Sequence, residues 1–291
     1  MSEITVSSCC KINLFLQVTG RQSNGYHTLQ TLFLPVKGLA DTIKCDFQSA
    51  VGIELCVHQP ELPSGKDNII CRAAEKYAET AGIVPTWKFT LDKNIPVAAG
   101  LGGGSSNAAA VLNALNSKYK ALDSRTLHET ALKIGADVPF FLNSVPAWAG
   151  GVGERLEVLN QHREPLHIVL VNPGFPVGVR WAYGKLDAER FQSADVESRE
   201  TLTYALACHD VQKIASLCRN DLGTALFAKF PLLAILKNSM LEAGAVCVQI
   251  SGSGPTLFAV CSSKVSCKQV AEKIRNDFKN NSGIRVFECE V

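Results

Sequence analysis

Four glycines fall within five positions of "IPVAAGLGGGSSNAAAVLNALN", at Gly100, Gly102, Gly103 and Gly104. Upstream, "WKFTLDKNIP" alternates, with Trp87, Phe89 and Leu91 on one side. Downstream, "SSNAAAVLNALNSKY" carries Ala, Val and Leu at helical spacing. The order is strand, glycine loop, helix. Such a loop lets backbone N–H groups converge on an anion, because no Cβ stands in the way and the helix N-terminus adds partial positive charge. A flexible turn before a tightly packed alanine helix is the other reading of the same residues. Two common nucleotide signatures fail by spelling. No lysine lies between Lys93 and Lys118, as a Walker loop would need, and Ser105 stands where G-x-G-x-x-G requires glycine. Ser105, Ser106 and Asn107 add small polar groups able to cap the helix or touch phosphate oxygens or a metal.

Around this loop the chain reads as a mixture of strands and helices. In "KINLFLQV" the residues Ile12, Leu14, Leu16 and Val18 alternate with Lys11, Asn13, Phe15 and Gln17, which predicts one core face and one face presenting Lys11 and Asn13. Asn24-Gly25 marks a turn before a second strand, "TLQTLFLPV", with Tyr26 and His27 just past it. "DTIKCDF" and "GIELCV" read as further strands, and "NIICRAAEKYAETAG" as a helix closed by Gly82. "SRTLHETALKIG" predicts a helix capped by Ser124, and "TLTYALACHDVQKIASLC" another helical stretch. A shift of composition near Leu159 suggests a domain boundary, with an α+β layer beyond it.

Composition excludes several classes. The 291 residues are 46% hydrophobic and 19% charged, yet no run of about 18 apolar residues predicts a membrane span. A net charge of +2, with both signs scattered, supplies no basic stripe for nucleic acid. The start, "MSEITVSSCC", has neither a signal nor a transit pattern, so a cytoplasmic protein is expected. Eleven cysteines, odd in number and without a C-x-x-C pair, read as reduced thiols packed as small hydrophobes. No H-E-x-x-H occurs among the six histidines.

Two charged residues stand in apolar surroundings, where a charge is costly unless paired or used. Lys11 is either a solvated residue on a strand face or a working charge, and Asp137 in "GADVPFF" either caps a helix beginning at Val138 or does chemistry. A second glycine cluster, "SGSGPT" from Ser251 to Thr256, reads as a plain hairpin turn or as a second backbone wall.

In chain order, "KINLFLQVTGRQSNGYHTLQTLF", "IPVAAGLGGGSSNAAAVLNALN", "GADVPFFL" and "SGSGPTLFAV" resemble the GHMP kinase superfamily, over a stretch from about Thr5 to about Val260. The "KINLFL…GYH" opening resembles the branch that acts on a cytidylyl alcohol; homoserine, mevalonate and sugar kinases are not expected to carry it. The resemblance implies an α+β, two-domain GHMP kinase fold: an N-terminal nucleotide-binding domain (1–159) with a left-handed crossover, a C-terminal ferredoxin-like domain (160–291), and an active site in the cleft between them. It implies ATP-dependent phosphorylation of the tertiary 2-hydroxyl of a diphosphocytidyl methylerythritol, on the non-mevalonate route to isoprenoid precursors. ATP is then the co-substrate, with Mg²⁺. The partner is a small molecule, with no nucleic acid or membrane, and the enzyme is a monomer or homodimer.

Carried over by position, Lys11 and Asp137 match the catalytic pair. The ATP phosphate loop is matched by Pro96, Val97, Ala98, Ala99, Gly100, Leu101, Gly102, Gly103, Gly104, Ser105 and Ser106. Lys93, Asn68 and Ile69 fall where the family meets the adenine nucleotide. Asn13 is implied as a substrate-site neighbour, Tyr26 and His27 as the residues that recognise cytosine, and Tyr183 as an aromatic position near that pocket. Asp137 would take the hydroxyl proton while Lys11 keeps it ionised and stabilises charge on the hydroxyl oxygen or the transferred phosphoryl group. No protein carboxylate is singled out for the metal. The chain departs from the family's pattern at Cys9-Cys10, where Pro-Ala is common before the lysine, and at Gly178-Val179, where Ser-Thr is usual. Two other readings use the same loop: a superfamily kinase for homoserine, mevalonate or a sugar, and a nucleotide-binding module without catalysis.

Overall fold

The computed structural model describes residues 3–48, 51–59, 62–159, 164–186 and 191–291. It opens on two strands far longer than the five or six residues common in globular sheets. In chain order the elements are β1 (Glu3–Arg21), β2 (His27–Asp46), β3 (Gly52–Val57), α1 (Ile69–Ala81), β4 (Thr86–Asp92), α2 (Gly103–Tyr119), α3 (Ser124–Ile134), α4 (Val138–Asn143), β5 (Ala147–Gly150), β6 (Arg155–Val158) and β7 (His167–Asn172). There follow α5 (Val179–Tyr183), α6 (Val196–Ala207), α7 (Val211–Leu217), β8 (Arg219–Asn220), α8 (Gly223–Lys229), α9 (Pro231–Glu242), β9 (Cys247–Ile250), β10 (Leu257–Cys261), α10 (Lys264–Asp277) and β11 (Arg285–Glu290). Two compact units result, one made of Met1–Cys10, Leu39–Ile95 and Gly102–Val145, the other of Lys11–Gly38, Pro96–Leu101 and Pro146–Val291. The division expected at 159/160 borders residues 160–163, which lie outside the described residues.

In the first unit β3 and β4 pair in parallel, so the chain between them must cross over, and α1 is that crossover. Residues 42–46 of β2 pair antiparallel with β4. The alternation of "TWKFTLD" holds: Trp87, Phe89 and Leu91 are buried, each contributing about 1.5–3 kcal/mol of apolar burial. Asn68 caps α1 by accepting from the Ile70 N–H at 2.9 Å, and Gly82, at φ 66°, ends it in the left-handed region. Helix α2 packs against α1 and α4, and its Ala108, Ala109, Val111 and Leu112 are fully buried.

In the second unit the order β7, α9, β9, β10, α10, β11 gives an antiparallel sheet of spatial order β9-β10-β7-β11. This is the ferredoxin-like arrangement expected for the C-terminal half. Val169, Val171, Leu233, Leu236, Met240, Leu257, Ala271 and Ile274 are fully buried in its core.

Three local expectations change. Residues 11–18 are buried on both faces of β1, so the strand is not half-solvated. The cap of α3 is Asp123, accepting from Thr126 N–H at 2.7 Å, and not Ser124. "TLTYALACHDVQKIASLC" contains two helices, because Asp210 caps a new one by accepting from the Lys213 N–H at 3.0 Å, with His209 before it at φ 53°. All eleven cysteines are free thiols; six are buried, and burial holds Cys45 up at about 12, far too high to be a nucleophile at neutral pH. Among the described residues no single helix is long and apolar enough to cross a membrane.

Candidate active site

Within the second unit, Lys11 is only 4% exposed, so the solvated reading of this residue falls. Its ammonium donates to Asn13 Oδ1 at 2.5 Å and lies 4.7 Å from the centre of the Phe33 ring. Asn13 Nδ2 donates to Thr31 Oγ1 at 2.8 Å, and the Thr31 hydroxyl donates to the Phe15 carbonyl at 2.6 Å. Positions 11 and 13 share a strand face because side chains alternate, and the relay through Thr31 fixes the Asn13 amide so that its oxygen meets the ammonium.

The first half of the glycine loop, 96–101, belongs to the same unit. Its backbone is left-handed at Ala98 (φ 49°) and Gly100 (φ 75°), and the next alternate residue, Gly102, continues the pattern at φ 70°. Alternating right- and left-handed residues turn successive N–H groups to one side, the concavity that binds anions. The "SGSGPT" cluster backs this half. Ser251 Oγ donates to the Gly100 carbonyl at 2.9 Å, and Thr256 N–H to the Ala99 carbonyl at 3.3 Å. Asn220 Nδ2 in turn holds the Ile250 and Gly252 carbonyls at 2.7 and 2.8 Å. Both readings of "SGSGPT" hold: it closes the β9–β10 hairpin, and its backbone walls this half of the loop.

The other half, from Gly102, starts α2 in the first unit. Gly102 occupies the N-cap without a side chain, which leaves the first N–H groups of the helix open to a ligand. Behind Gly103 lies Lys93, whose Nζ would be 3.1 Å from a Cβ there. Lys93 donates to Asp41 Oδ2 and to the Ile95 carbonyl, both at 2.7 Å, while Asp41 Oδ1 accepts from the N–H groups of Asn94 (2.7 Å) and Ile95 (2.8 Å). Asp41 is fully buried, so this ion pair and its hydrogen bonds stiffen the entry to the loop. Ile69 approaches Gly104, its Cγ2 lying 3.7 Å from a would-be Cβ, and Asn68 adjoins it as the α1 cap. The Ser8 hydroxyl donates to Asn107 Oδ1 at 2.7 Å and lies 2.7 Å from Ser106 Oγ, so Ser106 is engaged within the protein. Ser8 and Ser106 also line a cavity of about 430 Å³ with Cys9, Asn113 and Ser144.

Asp137, also in the first unit, precedes α4 and is half-buried. It occupies the N-cap position but makes no side-chain capping bond, so the bland reading of this carboxylate is not the one the helix uses.

The turn predicted at Asn24-Gly25 forms, with Gly25 at φ 88° and Asn24 Oδ1 accepting from the Tyr26 N–H at 3.0 Å. Tyr26 is 65% exposed. His27 stacks on Tyr183, ring centroids 5.2 Å apart at 30°, although 156 residues separate them in sequence. Burial first, then the Arg21 guanidinium, lower the His27 pKa, so at neutral pH the imidazole offers one N–H donor and one acceptor nitrogen. Gly178 caps α5 without a side chain, where a serine would have offered one.

The second unit thus holds Lys11, Asn13, Tyr26, His27, Tyr183 and residues 96–101, and the first holds Asn68, Ile69, Lys93, Asp137 and residues 102–106. The sequence reading missed Asp41, Thr31, Asn220 and Ser8, which hold these residues in place. Asp41 left a faint signal as an acid inside a long β pattern; Asn220 left none.

Comparison with known proteins agrees with this geometry. Residues 68–144 match the GHMP kinases N terminal domain, and residues 202–280 the GHMP kinases C terminal family. The chain is 39% identical to the 4-diphosphocytidyl-2-C-methyl-D-erythritol kinase of Syntrophotalea carbinolica, over 96% of each chain. It is 35% identical to the enzyme of that name from Chlorobaculum parvum, over 100% of both. Among solved structures, a 4-(cytidine 5'-diphospho)-2C-methyl-D-erythritol kinase superposes with a TM-score of 0.81 at 34% identity, covering 99% of this chain and 100% of that one. A homoserine kinase from Cytophaga hutchinsonii superposes at 0.79 but with 20% identity, over 99% of this chain and 94% of that one, a likeness of fold alone. The chain belongs to the GHMP kinases, in the family of the 4-diphosphocytidyl-2-C-methyl-D-erythritol kinases.

Proposed function

We propose that this ATP-dependent kinase phosphorylates the tertiary 2-hydroxyl of 4-diphosphocytidyl-2-C-methyl-D-erythritol, a step in the non-mevalonate supply of isoprenoid precursors. The observation that carries the choice of substrate is the His27–Tyr183 stack, an aromatic surface beside a neutral imidazole. A cytosine has a flat face and a hydrogen-bonding edge to meet such a pair; homoserine and mevalonate have neither.

Phosphoryl transfer depends on positioning and on neutralising charge more than on covalent chemistry. Residues 96–106 hold the triphosphate through backbone N–H groups, a role supported by the alternating left-handed positions Ala98, Gly100 and Gly102 and by the uncapped start of α2. Asn68 and Ile69 border the adenine nucleotide, and Lys93 secures the entry to the loop. Asp137 accepts the proton of the hydroxyl as its oxygen attacks the γ-phosphorus, and Lys11 stabilises the negative charge that develops there. Asn13 orients Lys11. Tyr26 and Tyr183 meet the faces of the cytosine while His27 reads its edge.

Among the described residues no group of three or more His, Cys, Asp or Glu side chains could hold a metal. A Mg²⁺ would be carried largely by the phosphate oxygens of ATP, and the half-buried Ser105 hydroxyl is the protein oxygen that would be available to it, since Ser106 is engaged with Ser8. When bound, the ion neutralises charge on the transferring phosphates.

The two family matches fall on either side of 159/160, which supports 1–159 and 160–291 as the evolutionary halves. Eleven free thiols suit the reducing cytoplasm as the place of action.

The decisive measurement is ADP release from purified protein, ATP and Mg²⁺ with the cytidylyl alcohol, homoserine or mevalonate in parallel. Turnover with the first alone is the expected result, and turnover with homoserine alone reverses the choice. ATP binding without turnover on any alcohol would favour the non-catalytic module. Within this reading His27→Ala should raise KM for the cytidylyl alcohol about tenfold, the worth of one hydrogen bond, and leave KM for ATP within about twofold. The opposite pattern in steady-state kinetics would remove His27 from the cytosine site.

A further inference from the structure

His27 has a second aromatic neighbour with no role so far. Phe191 stands nearly perpendicular to it, centroids 5.8 Å apart at 83°, while Tyr183 stacks on it. Two rings at such different inclinations fix both the position and the tilt of the imidazole. Phe191 is carried by residues 191–195, which have no regular secondary structure of their own. Two buried glutamines tie this segment down. Gln17 Nε2 donates to the Ser193 carbonyl at 3.0 Å, and Gln17 Oε1 accepts from the Asp195 N–H at 3.0 Å. Gln30, three residues beyond His27 on β2, donates to the Asp195 carbonyl at 3.3 Å.

These anchors are specific. Gln17 and Gln30 are 1% and 6% exposed, and an amide so deep is costly to leave unbonded. Gln30 Oε1 is buried without a partner, so its bond to Asp195 is kept at a cost. Asp195 itself caps α6, accepting from the Ser198 N–H at 2.9 Å, which holds the far end of the segment.

We propose that Phe191, held by the Gln17 and Gln30 anchors, is a positioning residue that sets His27 against Tyr183 and thereby tunes selection of the cytidylyl alcohol. This rests on the reading of His27 and Tyr183 as the cytosine site. A neutral imidazole recognises the edge of a base only if its donor and acceptor nitrogens face the right way, so the tilt of the ring matters as much as its presence. Burial, ahead of the Arg21 charge, lowers the His27 pKa, and Phe191 is one of the two rings packed against the imidazole.

Phe191→Ala tests the proposal by two routes. In steady-state kinetics KM for the cytidylyl alcohol should rise about three- to tenfold, the worth of one aromatic pair, with kcat and KM for ATP within about twofold. In an NMR titration, which needs no substrate, the His27 pKa should move up from its wild-type value toward that of an exposed histidine. Phe191→Tyr should restore both, and a thermal melt separates loss of fold from loss of position. Gln17→Leu, which removes both of its bonds to the segment, should reproduce the KM pattern; an unchanged KM there overturns the anchoring. A wild-type His27 titration in Phe191→Ala overturns the positioning role. Should the wild-type protein turn over no cytidylyl alcohol, the substrate reading falls, while the titration still decides whether Phe191 positions His27.

Discussion

Asp137→Asn is expected to lower kcat by about 10²- to 10⁴-fold, the usual worth of a positioned general base, while KM for ATP stays within about twofold. The smaller figure already corresponds to about 2.7 kcal/mol of transition-state stabilisation, more than a hydrogen bond between neutral groups provides. A tertiary alcohol is hindered and a poor acid, so it gains more than most acceptors from a carboxylate at the attacking oxygen. Asparagine keeps the volume and removes the basicity. The carboxylate makes no capping bond to α4, and Pro139 in the first turn needs no N–H partner, so the helix does not depend on the charge. A thermal melt run beside the kinetics separates loss of fold from loss of chemistry, and a fall in kcat in a variant that melts like the wild type is assigned to chemistry. Near-normal turnover in a folded variant would remove Asp137 from the mechanism. An equal fall in ATP affinity would relocate its role to the nucleotide.

How far the chain itself declares this site differs from residue to residue. Period-two spacing was enough for β4 and helical spacing for α1, because each is local and each buries one clear apolar face. The left-handed positions of the loop were legible at Gly100 and Gly102, where glycine is the natural occupant, but not at Ala98, which carries a Cβ and still adopts φ 49°. Long-range partners leave no such trace. Asp41 meets Lys93 across 52 positions, and Asn220 reaches Gly252 across 32, each through a single side chain with no periodicity to betray it. The exposure of Lys11 was illegible for a related reason. Alternation predicted one wet face of β1, whereas both faces are covered, and a strand's own spelling does not record what packs on its second face. The break between α6 and α7 was legible in principle: Asp210 is a favoured N-cap residue, a signal that the helical pattern on either side masked.

Gly100→Ala is the substitution expected to do most damage without touching an ionisable group. Two effects act together. At φ +75° any side chain is strained, a cost of about 1 kcal/mol. Here the new Cβ would also lie 2.1 Å from the Ser251 carbonyl oxygen and 2.8 Å from the Gly254 nitrogen, backbone atoms that no rotamer can move aside. Residues 96–101 and 251–256 must then part, losing the bonds from Ser251 Oγ to Gly100 and from Thr256 N–H to Ala99. Overpacking of this kind costs typically about 1–3 kcal/mol, so a total near or above about 3 kcal/mol and a Tm lower by about 6 °C or more are expected. Because the displaced residues belong to the proposed triphosphate cradle, KM for ATP should rise at least about tenfold in whatever protein remains folded. Gly82→Ala separates strain from collision. Gly82 has φ +66° but nothing within 4 Å of a would-be Cβ, so its substitution should cost only the conformational term of about 1 kcal/mol and leave KM for ATP unchanged. A Gly100→Ala protein that melts and binds ATP like Gly82→Ala would mean that "SGSGPT" does not wall the loop. A larger loss at position 100 would assign the difference to that contact, and would tie the second glycine cluster, some 150 residues downstream, to the proposed phosphate loop.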